Sequence, residues 1–102
     1  MVIYSRVAES DLIDILYGLV TWKKHPLTFD HAEQYVFDIR NVCDKLDTLS
    51  YHRNATYSTH QRYGEKVYAY HRNTQTTWYI IYDIDFFDNV LINKIISNYL
   101  TE

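Results

Sequence analysis

Cysteine and proline each occur once in these 102 residues and glycine only twice. No apolar run approaches the length of a membrane span. A lone Cys43 excludes an internal disulfide, and its place on the apolar side of a helical pattern is that of a buried thiol. Residues 1–6 lack the apolar core of a signal peptide, so the chain is expected in the cytoplasm. No internal repeat, linker or low-complexity tract is present. A basic excess is missing as well, since the net charge is −3. Proteins that grip nucleic acid mainly through its phosphates carry such an excess. The balance argues against that class while leaving room for a local basic patch.

What the sequence does contain is apolar and aromatic. A hydrophobic fraction of 47% fits a folded globule, and the length fits one domain, residues 1–102, with a single core. Eleven tyrosines and two tryptophans stand out. Such side chains join contact area to a polar tip, which suits interfaces, although about half are expected simply to fill the core.

Periodicity supplies the elements. Residues 2–6 form a short candidate strand. From Ala8 the apolar residues Leu12, Ile15, Leu16, Leu19 and Val20 recur every three or four positions, which is one face of a helix that Pro26 stops. Gly18 inside it costs up to ~1 kcal/mol relative to alanine, a loss that close packing of a neighbour would offset. Thr28 is placed as the N-cap of a second helix whose stripe runs through Ala32, Tyr35, Val36, Ile39, Val42, Cys43, Leu46 and Leu49. The short connection makes the two helices an antiparallel hairpin. Residues 50–63 read as a long polar loop, and loops of that length are often functional. Gly64 then introduces a meander of three strands, 66–72, 77–85 and 90–98, with polar turns between them. The expected fold is therefore α+β: a small antiparallel sheet, made of the short N-terminal strand and the meander, with the helical hairpin packed on one face.

Alternation then sorts the sheet's side chains. Trp78, Ile80, Tyr82 and Ile84 are assigned to the helix side, and Thr77, Tyr79, Ile81, Asp83 and Asp85 to the open side, because the second set carries two aspartates. On the preceding strand Val67, Ala69 and His71 are assigned inward, leaving Lys66, Tyr68, Tyr70 and Arg72 outward. On the last strand Val90, Ile92, Lys94, Ile96 and Asn98 are placed outward. The expected partner-binding surface is thus Lys66, Tyr68, Tyr70, Arg72, Tyr79, Lys94 and Asn98. The tyrosine row has three readings: a stacking platform for unpaired bases, a docking patch for a protein, or cover for the sheet under the C-terminal tail. Asp83 and Asp85 beside it disfavour phosphate and favour the protein.

The five histidines have no spacing that fits a helical or finger metal site, so neither metal nor cofactor is expected. His60, Arg62, His71 and Arg72 would form an acid–base site only if the long loop and the strand after it converge at one end of the sheet.

Two stretches resemble the RelE/ParE superfamily of type II toxin–antitoxin toxins. Ala8, Asp11, Leu12 and Ile15 are similar to the family's A-x-x-D-L-x-x-I, and residues 78–85, Trp-Tyr-Ile-Ile-Tyr-Asp-Ile-Asp, followed by 89–96, to its Y-R-V-I-Y-x-I plus turn plus β-branched strand. The order strand, two helices, three strands matches as well. The resemblance implies a toxin held by a cognate antitoxin whose disordered segment folds over the exposed meander edge and the grooves beside the helices. RelE-type members are ribosome-dependent mRNA endonucleases with basic residues on the open face and near the C-terminus. Here the motif arginine falls on Tyr79, the lysines fall on Tyr68 and Tyr70, and the C-terminal arginine falls near Ser97-Asn98. Tyrosine at its ordinary pKa neither stabilises a phosphorane-like charge nor moves the 2′-OH proton well. The pattern is closer to ParE-type members, which poison DNA gyrase through protein contact. The alternatives are an mRNA interferase with a shifted site drawn from His60, Arg62, His71, Arg72 and Tyr99, acting with the ribosome, and a non-toxic binding module. A homodimer or a toxin–antitoxin heterotetramer is compatible with the family.

Overall fold

In the computed structural model, which describes residues 1–98, the elements follow in the order β1 (Val2–Tyr4), α1 (Arg6–Thr21), α2 (Phe29–Asp44), a 3-10 turn (Leu46–Thr48), β2 (Arg53–Asn54), α3 (Ser58–Gln61), β3 (Lys66–His71), β4 (Thr77–Ile84) and β5 (Val90–Ser97). The architecture is α+β, with helices packed on a sheet of strand order β1-β5-β4-β3-β2. The meander is antiparallel, while β1 joins β5 in parallel, so the sheet is mixed.

Each long helix begins on a hydroxyl cap. Ser5 Oγ accepts from the Ala8 amide at 3.0 Å, and Thr28 Oγ1 accepts from the His31 amide at 3.3 Å. The serine cap starts α1 two residues before its apolar stripe, shortening β1 to three residues. Arg40 near the end of α2 pairs with Glu9 near the start of α1, so the hairpin is antiparallel as expected. Its inner stripe, Ala8, Leu12, Ile39 and Cys43, continued by Leu46 of the 3-10 turn, meets Ile80, Tyr82, Val90, Ile92 and Ile95 in the main core. Trp78 Nε1 donates to the Tyr35 hydroxyl at 2.8 Å, with the two rings edge to face. Arg72 lies over the Tyr35 ring and pairs with Asp38. These contacts fix α2 across β4 and the end of β3.

Gly18 does not fulfil the packing expectation: nothing lies within 4 Å of where its Cβ would stand. Gly64 is the reverse case. A Cβ there would sit 2.9 Å from the Tyr82 carbonyl oxygen, so the chain entering β3 passes too close to β4 for any side chain.

Candidate functional site

The face opposite the helices is where the sequence places a partner, and it differs from expectation in two ways. First, its centre is covered. The segment after α2 is not a plain loop: it adds β2 to the free edge of β3, forms the single turn of α3, and folds over the sheet. Ala55, Val67 and Ile81 are buried in a second, smaller core, with Tyr63, Tyr79 and Ile96 packed around them. The edge expected to receive an antitoxin strand is thus taken by β2 along Lys66 and Val67.

Second, two of the three tyrosines are on the other side. Tyr68 pairs across the ladder with Ile80 and Tyr70 with Trp78, and residues paired in register share a face. Tyr68 and Tyr70 therefore pack, partly buried, against the main core beneath the helices. The charged ends of the strand had suggested the reverse. Lys66 and Arg72 do share the tyrosines' parity, but they sit where the strand ends, and their long side chains reach polar partners at its margins. Lys66 Nζ donates to Asn54 Oδ1 at 2.6 Å, and Arg72 is engaged by Asp38 of α2 and the Tyr70 hydroxyl. His71, assigned inward, is exposed on the open side across from Thr77, its Nδ1 2.9 Å from Thr77 Oγ1.

On β5 a bulge divides the set expected outward. Ile81 faces Lys94 but Tyr82 faces Ile92, so Asn93 is the extra residue. Before it, Val90 and Ile92 point into the main core; after it, Lys94 and Ile96 lie on the open side. Lys94 Nζ donates to Asp11 Oδ1 of α1 at 2.9 Å and stands 5.4 Å from the centre of the Tyr63 ring. Asn98 closes the far turn: its Oδ1 accepts from the Thr77 amide and its Nδ2 donates to the Gln75 carbonyl.

Tyr79 remains where the sequence put it. The His60 ring lies 4.7 Å from it, and Tyr57 stands edge-on at 6.4 Å. His60 is 1% exposed. Burial, then the nearby Arg53 charge, holds its imidazole below the ordinary pKa of 6.5, in the neutral form. Asp83 is also a tie and not a bare charge, accepting from the Glu65 amide and from Asn93 Nδ2, both at 2.9 Å. It pins the crossing segment to the bulge.

The acid–base candidates do not converge. Arg62 lines a shallow polar depression with Glu65 and Asp83, at the start of β3. His71 is at the strand's other end, roughly 17 Å away at ~3.3 Å per residue. Arg72 is committed to α2, His60 is enclosed, and Tyr99 lies outside the described residues. Among the described residues no three His, Cys, Asp or Glu side chains group as a metal site would require. None of the helices described is long and apolar enough to cross a membrane.

Exposed apolar residues that sequence reasoning missed include Ile3 and Leu91, paired on the open face, and Phe86 and Phe87 in the turn beyond them. Two phenylalanines in a segment otherwise made of turn formers were the available signal. Comparison with known proteins gives no match to any family model, to any curated protein or to any solved structure.

Proposed function

We propose that this chain is the toxin of a type II toxin–antitoxin pair, of ParE type, working in the cytoplasm. It grips a macromolecular target such as DNA gyrase and is neutralised by a cognate antitoxin. The observation that carries this reading is that, among the described residues, the acid–base candidates named from the sequence are dispersed. His60 is neutral and enclosed, Arg62 and His71 stand at opposite ends of β3, and Arg72 is neutralised by Asp38. A nuclease needs an acid or base and a cation around one phosphate. A protein that works by contact needs neither, only exposed apolar and aromatic side chains such as Ile3, Tyr57 and Leu91. The element order, a strand and a helical hairpin followed, after the short β2 and α3, by the meander, supports the family resemblance independently of the site.

Inducing the full chain in bacteria separates the readings. Filamentation, DNA-damage signalling and loss of gyrase supercoiling by the purified protein are the expected result. Rapid arrest of translation with cut transcripts would overturn it in favour of an interferase. No growth effect would leave a binding module.

A further inference from the structure

The loop between α1 and α2 gathers positive charge in a chain that is net acidic. Lys23 and Lys24 are the only two lysine or arginine residues adjacent in the sequence, and no carboxylate occurs between Asp14 and Asp30. Elsewhere cations are matched: Arg40 pairs with Glu9, Arg72 with Asp38 and Lys94 with Asp11. Among the described residues neither lysine of the loop has a carboxylate partner. Both are exposed, and both lie past the end of α1, whose last turn holds no basic residue. Their charges face solvent.

An aromatic ring stands beside them. Trp22 leaves α1 with extended backbone, and its side chain is 52% exposed. Its ring meets that of His25 edge to face, with centroids 5.6 Å apart. The loop is held in place. Across its base the Leu27 amide donates to the Leu19 carbonyl at 3.0 Å, and Pro26 fixes its own φ and restricts His25. Trp22 and the two lysines are thus presented together at one end of the helical hairpin. An open aromatic ring flanked by unpaired cations suits an unpaired nucleic-acid strand, whose base stacks on the ring while its phosphates meet the ammonium groups. A duplex keeps its base faces stacked on one another. A membrane contact needs an apolar face to bury, and residues 22–26 contain no aliphatic side chain. This is the local basic patch for which the net charge leaves room.

We propose that the Trp22–His25 loop binds single-stranded nucleic acid, with one base stacked on Trp22 and the adjoining phosphates paired with Lys23 and Lys24. Every base has a face to stack, so the contact is indifferent to sequence. The net charge of −3 opposes a polyanion elsewhere on the molecule, which keeps the contact short and weak. It uses no residue on which the toxin reading rests, and it stands or falls apart from that reading.

Titrating the full chain in low salt with an oligodeoxythymidine of roughly ten nucleotides tests it through tryptophan emission. Trp22 is the exposed reporter, whereas the Trp78 indole is half-buried and bonded to Tyr35. Saturable quenching is expected below about 1 mM strand, with log K falling against log salt at a slope of about −1.4 for two phosphates. The double variant K23A/K24A is expected to bind more weakly and to lose that slope. Trp22→Ala, followed by the anisotropy of a labelled strand, is expected to weaken binding at least about fivefold. All three positions are exposed, and circular dichroism checks that each variant folds. Absence of quenching, a salt slope that persists in K23A/K24A, or undiminished binding by Trp22→Ala would each overturn the proposal. Quenching by phosphatidylglycerol vesicles and not by the oligonucleotide would overturn it in favour of a membrane contact.

Discussion

One methyl group has opposite consequences at the two glycines. At Gly18 it meets nothing and removes only the helix penalty, so Gly18→Ala is expected to stabilise by up to ~1 kcal/mol. At Gly64 it would press on the Tyr82 carbonyl and the Ile81 side chain, and Gly64→Ala is expected to destabilise by about 1–3 kcal/mol. Urea midpoints of the two variants, taken side by side, check both signs. Cys43 offers a chemical test at the same scale. Burial, reinforced by the neighbouring Asp44 charge, pushes its thiol up to about 12. A thiol reagent at mildly alkaline pH is expected to leave the native protein unlabelled and to modify Cys43 promptly once it is unfolded. Fast labelling of the native state would mean that the α2 stripe does not seal it.

Among the elements, the outer edge of β5 is closed by two different neighbours. β1 covers it only as far as Ile92. Beyond that, Asp11 takes over from α1, its Oδ2 accepting from the Ile95 amide and its Oδ1 from Lys94, both at 2.9 Å. Asp11→Ala strips both donors of their partner and is expected to cost about 2–3 kcal/mol. Faster hydrogen exchange at the Ile95 amide, with amides in the centre of α2 unchanged, is the local signature. This role of Asp11 was not legible in the sequence, because a helix-to-strand bond across 84 positions has no periodicity. The helices, the Thr28 cap and the meander were legible, since amphipathic stripes and turn residues are local signals. The faces of β3 were not. Val67-Tyr68-Ala69-Tyr70 is apolar on both sides, so only its register against β4 decides which set is inward. The bulge at Asn93 was equally hidden, and it explains why both candidate faces of β5 looked apolar.

At the scale of the whole molecule the sheet has a core on each face, and the two differ in what they need to stay closed. The helix side is sealed largely by aliphatic and aromatic packing. The smaller side encloses His60 between the crossing segment and Tyr79, in a setting that disfavours its charged form. The unfolded chain takes up that proton near pH 6.5, whereas the folded chain does so only at lower pH. The stabilisation is therefore whole above about pH 6.5, declines as the pH falls through that value, and levels off once the folded imidazole also titrates. Between these limits one proton changes stability by up to about 1.4 kcal/mol per pH unit. Denaturant midpoints at a series of pH values from neutral downward are expected to fall along this course, and His60→Gln to flatten it. The loss begins in the crossing segment, so amide exchange over residues 55–64 is expected to accelerate before exchange in α1 and α2. A slope that survives His60→Gln unchanged would assign it to other groups and leave the second core indifferent to protonation.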